Sequence, residues 1–270
     1  MRIFLNWFIA SRLRYKFGIF ISLLVLVSSI WYMKNYEILP VSAINIIQEL
    51  PAIKPSDKVL IFAPHPDDET LGTCGFMQKA NIVGAKTAVV VVTDGNKRGK
   101  ESIRKEEVIR AVDLCSKNEE QIYYLNFPDG KLQNNQDLRD KIKNTFDDFK
   151  PTIVLTTDPS DTHSDHAATG NAIDEVISKL SNKPIVYDYL IHYHRYPRPE
   201  GLKTNDPLLP PATLVDGRHL WYKLTLTKEE ENKKQEAVMS FDSQLGTPLL
   251  KGLMLSFIRT NEIYSAHGDY

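Results

Sequence analysis

The sequence predicts an α/β domain on a doubly wound, Rossmann-like, mostly parallel sheet, preceded by one N-terminal transmembrane helix. Three observations predict it. Strand-like runs recur at 58–63, 87–93, 121–126, 151–157 and 184–191, and 87–93 is near-continuously β-branched, as strands covered on both faces are. Segments with apolar residues at helical spacing separate them. Ahead of all five lies an uncharged stretch, Phe17 to Met33, just long enough to cross a bilayer.

That stretch ends in Trp31-Tyr32, an aromatic pair suited to a membrane interface, and Arg2, Arg12, Arg14 and Lys16 precede it. Positive residues stay inside, so the tail 1–16 is expected in the cytoplasm, 17–33 in the membrane and the remainder outside. A cleaved signal peptide is the competing reading, since Val27 and Ser29 suit a cleavage site, but the apolar run exceeds the usual signal core. Residues 34–56, with Pro40, Pro51 and Pro55, read as a juxtamembrane linker with a short helix near Ile44 to Leu50, and 57–270 as the catalytic domain.

Composition narrows the function. With 270 residues, 42% of them hydrophobic, the chain can fill a proper core. A net charge of -1 without a basic run past the N-terminus gives no nucleic-acid footprint and leaves small-molecule or glycan substrates. Cys74 and Cys115 sit in expected helices, where a buried free thiol is the default and spacing cannot show a disulfide. Two cysteines cannot build a cysteine-rich zinc site, so a metal here relies on His and carboxylate.

The first strand, Lys58 to Ala63, runs into Pro64-His-Pro-Asp-Asp-Glu69. Pro66 disfavours helical geometry at His65, so His65, Asp67 and Asp68 can converge where the chain bends into a helix. The plainer reading is a helix start capped by Asp67 or Asp68. The second strand ends in Asp94-Gly95, a helix is expected over about 100–117, and the third strand closes in Phe127-Pro-Asp-Gly130. Further helices are expected from about Asp137 to Phe149 and from about Asp165 to Leu180, flanking the fourth strand.

The fourth strand feeds Asp158-Pro-Ser-Asp-Thr-His163-Ser-Asp165-His166. If the first and fourth strands are neighbours at the switch point of the sheet, both clusters meet in one crevice. His65, Asp68 and His166 then supply two imidazoles and a carboxylate with an open position for water, Asp67 is left as proton acceptor, and His163 as a cation or hydrogen-bond donor. A solvated helix start capped by Asp165 is the plainer reading of the second cluster. No glycine-rich dinucleotide fingerprint follows the first strand.

These residues resemble the LmbE-like, or PIG-L, family of zinc-dependent N-acetylglucosaminide deacetylases. Pro64-His-Pro-Asp-Asp-Glu69 is similar to its first signature and His163-Ser-Asp-His166 to its second. Thr93-Asp-Gly95, the helix with Arg104, Glu107 and Ala111, Phe127-Pro-Asp-Gly130, Phe241-Asp-Ser-Gln244 and Arg259-Thr-Asn-Glu262 look like further blocks, so the resemblance covers about 57–262. It implies one zinc ion on His65, Asp68 and His166, Asp67 as general base, His163 assisting the oxyanion, and Asp165 orienting the second signature. Phe241 stands where a tyrosine is frequent and Cys74 in a turn often richer in glycine; both bear on substrate contacts rather than on the metal site.

The expected activity is removal of the N-acetyl group from an N-acetylglucosamine-containing glycan or glycolipid by zinc-activated water, outside the cytoplasm. Arg104 is expected either to contact substrate or to form an exposed helix ion pair. His192 and His194, read as one face of the fifth strand, could pair on a second metal, but Tyr193, Arg195 and Tyr196 beside them suggest a sugar-binding wall, with His192 as substrate contact. His219 and His267 read as surface residues, the proline-rich segment beyond 197 as a rim, and the charged run from Thr227 to Glu236 as a capped, solvated helix. Two other functions fit parts of the pattern. A non-haem iron enzyme could use the same His/Asp cluster, although the strand–helix alternation suits it poorly. A membrane-anchored glycan-binding protein without catalysis has no need of Asp67 beside a metal.

Overall fold

The computed structural model describes residues 2–35, 39–96, 99–116, 121–194 and 196–267. The chain divides into two compact units, Met1–Ile38 and Leu39–Tyr270. The first holds one helix, α1 (Arg2–Asn35), whose stretch Arg14–Tyr32 has the length and composition of a membrane span, as an N-terminal signal sequence also does. It runs beyond the expected 17–33 at both ends.

The second unit is a mixed, mostly parallel sheet of strands β1 (Gln48–Glu49), β2 (Lys58–Ala63), β3 (Lys86–Thr93), β4 (Ile122–Phe127), β5 (Ile153–Thr157), β6 (Ile185–Tyr189), β7 (His219–Thr225) and β8 (Asn261–His267). They lie in the order β1-β7-β8-β6-β5-β2-β3-β4. All five expected strands are present; β1, β7 and β8 extend the sheet on the far side, with β7 and β8 antiparallel. β2 pairs in parallel with both β3 and β5, so the chain reverses its winding there, the point of a doubly wound sheet past whose strand ends ligands generally bind.

The pleat explains the near-continuous apolar runs. Val59 and Ile61 of β2 face one core and Leu60 and Phe62 the other. The first core is covered by α2 (Asp68–Val83), α3 (Glu101–Ser116) and α6 (Lys228–Met239), the second by α4 (Gln136–Phe149) and α5 (Ser164–Ser178). Two short helices, α7 (Asp242–Leu245) and α8 (Pro248–Leu255), lead into β8.

The structure corrects or sharpens several expectations. The segment read as a linker joins the fold from Leu39 onward: Val41–Asn45 is a 3-10 helix, and Gln48–Glu49 pairs with Tyr222 and Lys223. Glu49 also accepts hydrogen bonds from the Thr225 amide and hydroxyl, partners far along the chain that no local pattern reveals. The charged helix α6 has the expected capping box between Thr227 and Glu230, yet it is not solvated, for Glu230, Glu231 and Lys234 are buried. Cys74 on α2 and Cys115 on α3 are not free thiols but a disulfide, because the two helices pack on one face with these Cα atoms 5.2 Å apart. The last strand of the central five ends at Tyr189 rather than Ile191, so alternation does not extend to His192 and His194. Segment 197–211, expected as a rim, is fastened by the Gly201 amide to Ser256 and by the Leu208 amide to Asn261.

Candidate metal centre

The turn after β2 is locked before the helix begins. The Pro64 carbonyl accepts hydrogen bonds from the amide and hydroxyl of Thr93, at the end of β3. Asp67 precedes α2 at φ 136°, ψ -27°, a backbone region costly for a residue with a Cβ. Its amide is held by Glu69 Oε2 at 3.1 Å. Its side chain makes no capping hydrogen bond, and Asp68 Oδ2 accepts from the His65 amide at 2.8 Å, so the carboxylates of this turn are not spent on the helix start.

Three potential ligand atoms converge. His65 Nδ1 lies 3.0 Å from His166 Nε2 and 3.3 Å from Asp68 Oδ2, and His166 Nε2 lies 3.2 Å from the same oxygen. All three residues are buried. The opposite nitrogen of each histidine faces a carboxylate: His65 Nε2 meets Asp165 Oδ2 at 3.1 Å, and His166 Nδ1 meets Asp161 Oδ2 at 3.2 Å. With a cation taking the place of the inner protons, these bonds would hold the remaining ring protons on the outward nitrogens and free Nδ1 of His65 and Nε2 of His166 as ligands, the pattern of metal-ligating histidines held by outer carboxylates.

Charge agrees with this donor set. Burial opposes a positive His65, but its bonds to Asp165 and Asp68 outweigh that and raise its pKa to about 9. Burial likewise opposes charge on His166, and Asp68 and Asp161 raise it to about 10. Burial works against an ionised Asp68 too, yet His166 and His65 hold it well below the usual carboxylate range. The pocket therefore demands positive charge. Ligands on a tetrahedral zinc ion at about 2.0–2.1 Å stand roughly 3.3 Å apart, close to the three edges here, so the residues fit such an ion.

The remaining predicted residues gather around the triangle. Asp67 is buried beside Asp68, and burial first, with Asp68 second, lifts its carboxyl to about 7 against the pull of Arg104. His163 is the N-cap of α5; its Nδ1 accepts the Asp165 amide at 3.3 Å, which leaves the proton on Nε2. Burial and the neighbouring histidines push its pKa down to about 4, so it is a neutral donor rather than a cation. Its ring lies 4.6 Å from that of His65 and 5.0 Å from that of His166. Asp165 is no cap: Oδ1 takes the Leu132 amide at 3.1 Å and Oδ2 the Gly130 amide at 2.7 Å.

Arg104 is neither exposed nor in a simple helix ion pair. It is buried, donating through Nη2 to the Pro66 carbonyl and to Asp67 Oδ2, with Nη1 3.6 Å from Asp129 Oδ2. Gly95, at φ 60°, makes this approach feasible, because a Cβ there would meet the Pro66 ring at 2.7 Å and Arg104 Nη1 at 3.1 Å. The His192 ring stands 5.1 Å from that of His166, whereas His194 is exposed. Arg195 and the His267 side chain lie outside the described residues. Tyr193 is buried rather than forming a wall. His219 is not a free surface residue: Nε2 is 3.4 Å from Asp158 Oδ2 and Nδ1 3.1 Å from Asp216 Oδ1.

Asp161, Asp129 and Glu69 were not singled out from the sequence. Asp161 is a hub: Oδ2 accepts the Ile191 and His192 amides as well as facing His166, and Oδ1 accepts the His163 amide. Asp129 Oδ1 lies 3.5 Å from His65 Nε2. Both sit in stretches already notable for acidic turns; only the fold shows which ring each one serves.

Residues 60–177 match the profile of the PIG-L family, described as GlcNAc-PI de-N-acetylase. Among curated proteins, the chain is 28% identical over 130 residues to Probable N-acetyl-alpha-D-glucosaminyl L-malate deacetylase 2 of Bacillus subtilis, covering 43% of this chain and 59% of that one. It is 30% identical over 133 residues to diacetylchitobiose deacetylase of Thermococcus kodakarensis, covering 45% and 49%. The chain thus spans about half the length of these relatives. Among solved structures, N,N'-diacetylchitobiose deacetylase from Pyrococcus horikoshii superposes with TM-score 0.56 at 20% identity, over 77% of this chain and 83% of that one. A 4-carboxy-2-hydroxymuconate hydratase from Pseudomonas putida superposes with TM-score 0.53 at 16%, over 73% and 82%. Likeness at these identities is one of fold, and a fold shared by a deacetylase and a hydratase leaves the reaction to the site.

Proposed function

Residues 60–177 form a PIG-L family domain, and we propose on that premise that the chain is a metal-dependent N-deacetylase of N-acetylglucosamine-containing glycans or glycolipids. The observation that carries this reading is the triangle of His65 Nδ1, Asp68 Oδ2 and His166 Nε2, with edges of 3.0 to 3.3 Å. The two curated relatives are named as deacetylases of N-acetylated sugar compounds, which supports the substrate class.

In this reading His65, Asp68 and His166 hold one zinc ion. Bound there, zinc supplies Lewis acidity and makes a coordinated water more acidic. The chain does the rest. Asp67, fixed by Arg104 and Glu69, accepts the proton of the attacking water and returns it to the leaving amine. His163, neutral with its proton on Nε2, donates to the carbonyl oxygen as negative charge develops there. Asp165 and Asp161 keep the ligand rings in the required tautomers. His192, whose ring stands beside that of His166, contacts the substrate in this reading.

The same reading puts the domain outside the cytoplasm, anchored by α1. The positive residues ahead of the span favour that orientation, and the Cys74–Cys115 disulfide independently favours an oxidising compartment. The test is release of acetate from a panel of N-acetylated sugars by the purified full chain, with bound metal counted by elemental analysis. Acetate release that is lost together with zinc in His65→Ala, Asp68→Ala and His166→Ala is the expected result. Full activity in the metal-free chain would overturn it.

A further inference from the structure

The block Arg259-Thr-Asn-Glu262 has no part in the chemistry above, yet Glu262 reaches the helix that carries the candidate ligand Asp68. It is buried on β8, and four donors converge on its carboxylate. Oε1 accepts the Gly75 amide at 2.8 Å and Lys234 Nζ at 2.6 Å; Oε2 accepts the Phe76 amide at 2.9 Å and lies 2.6 Å from the Tyr264 hydroxyl. Amides inside an α-helix ordinarily bond the carbonyls four residues back, here those of Leu71 and Gly72. The Gly72 carbonyl has the Tyr264 hydroxyl 3.1 Å away.

A carboxylate from a neighbouring strand thus binds two successive amides inside α2, about two turns after Asp68. Two glycines make room. A Cβ on Gly75 would meet Leu226 at 2.4 Å and Glu262 at 3.0 Å, and one on Gly72 would meet the Tyr189 ring at 2.4 Å. Glycine inside a helix is unfavourable relative to alanine, so two within one turn need a reason, and close approach supplies it. Thr73, between these glycines, donates its hydroxyl to the Glu69 carbonyl at 2.6 Å.

We propose that Glu262 is a positioning residue for the metal centre: by clamping the Gly75 and Phe76 amides it fixes α2 against β8, and so sets where Asp68 Oδ2 meets the two histidines. The inference rests on the metal-dependent reading of the site. Its test is titration of zinc into the chelator-stripped full chain, comparing Glu262→Gln with wild type. Thr227→Ala, which removes only the α6 cap, serves as a stability control. Glu262→Gln keeps the shape but turns a donor toward one of the two amides; its zinc affinity should fall by about tenfold or more, as for other groups behind a ligand. Thr227→Ala should lower the melting temperature and leave zinc affinity within twofold (about 0.4 kcal/mol). If Glu262→Gln does not fold, Tyr264→Phe removes only the hydroxyl at Gly72, and its affinity should fall by about threefold or more (about 0.7 kcal/mol). Wild-type affinity in whichever variant is read overturns the inference alone, whereas a wild-type chain that binds no zinc overturns the metal-dependent reading and this inference with it.

Discussion

Arg104 Nη2 donates to Asp67 Oδ2 at 3.1 Å, and the guanidinium is the strongest influence opposing the burial that lifts this carboxyl to about 7. A general base must be ionised, so activity falls as pH drops through its pKa. Replacing Arg104 by Gln removes the charge that favours ionisation, which raises the Asp67 pKa further. The acidic limb of the pH profile of kcat/KM should therefore move to higher pH by about one unit or more. An unmoved limb would show that Arg104 does not act through Asp67.

Asp67→Asn preserves the shape of the turn but cannot take a proton. The variant should retain its zinc and lose deacetylation about a hundredfold or more, and His163→Ala should behave alike through the loss of its Nε2 donor. Single-turnover rates on zinc-loaded protein decide this. Rates within a few-fold of wild type (about 1 kcal/mol in barrier) would reduce Asp67 to a structural turn residue.

Asp161→Asn replaces the acceptor that holds the His166 Nδ1 proton and also faces three amides. Zinc affinity should fall by about 10- to 100-fold, measured by chelator competition. Unchanged affinity would mean that the His166 ring is held by its packing alone.

The Cys74–Cys115 disulfide closes a loop with a sequence separation of 41, worth about 3–4 kcal/mol in a chain-entropy account. The double alanine variant should unfold at correspondingly lower denaturant, and wild-type chain in right-side-out vesicles should be digested by added protease. Protection in those vesicles would place the domain in the cytoplasm and contradict the proposed orientation.

The parts of this protein written in adjacent residues were legible in the sequence: the five central strands, the helices between them, and the two His/Asp turns. Strand pattern and proline restrict the backbone over a few residues, and such restrictions survive without tertiary context. Even the meeting of His65, Asp68 and His166 follows from the winding rule, because β2 and β5 are neighbours at the switch point. Contacts across long separations were decided only by the folded chain. Thr227 and Glu230 announce their capping box, yet nothing near Lys234 announces Glu262, so α6 looked solvated until β8 was in place. Arg104 reads as a helix surface residue until α3 packs against the Pro66 turn and turns its guanidinium to Asp67. Asp161 and Asp165 are both acidic residues beside His166, and only the fold assigns one to His166 and the other to His65, since hydrogen-bond partners depend on where a ring nitrogen lies in space.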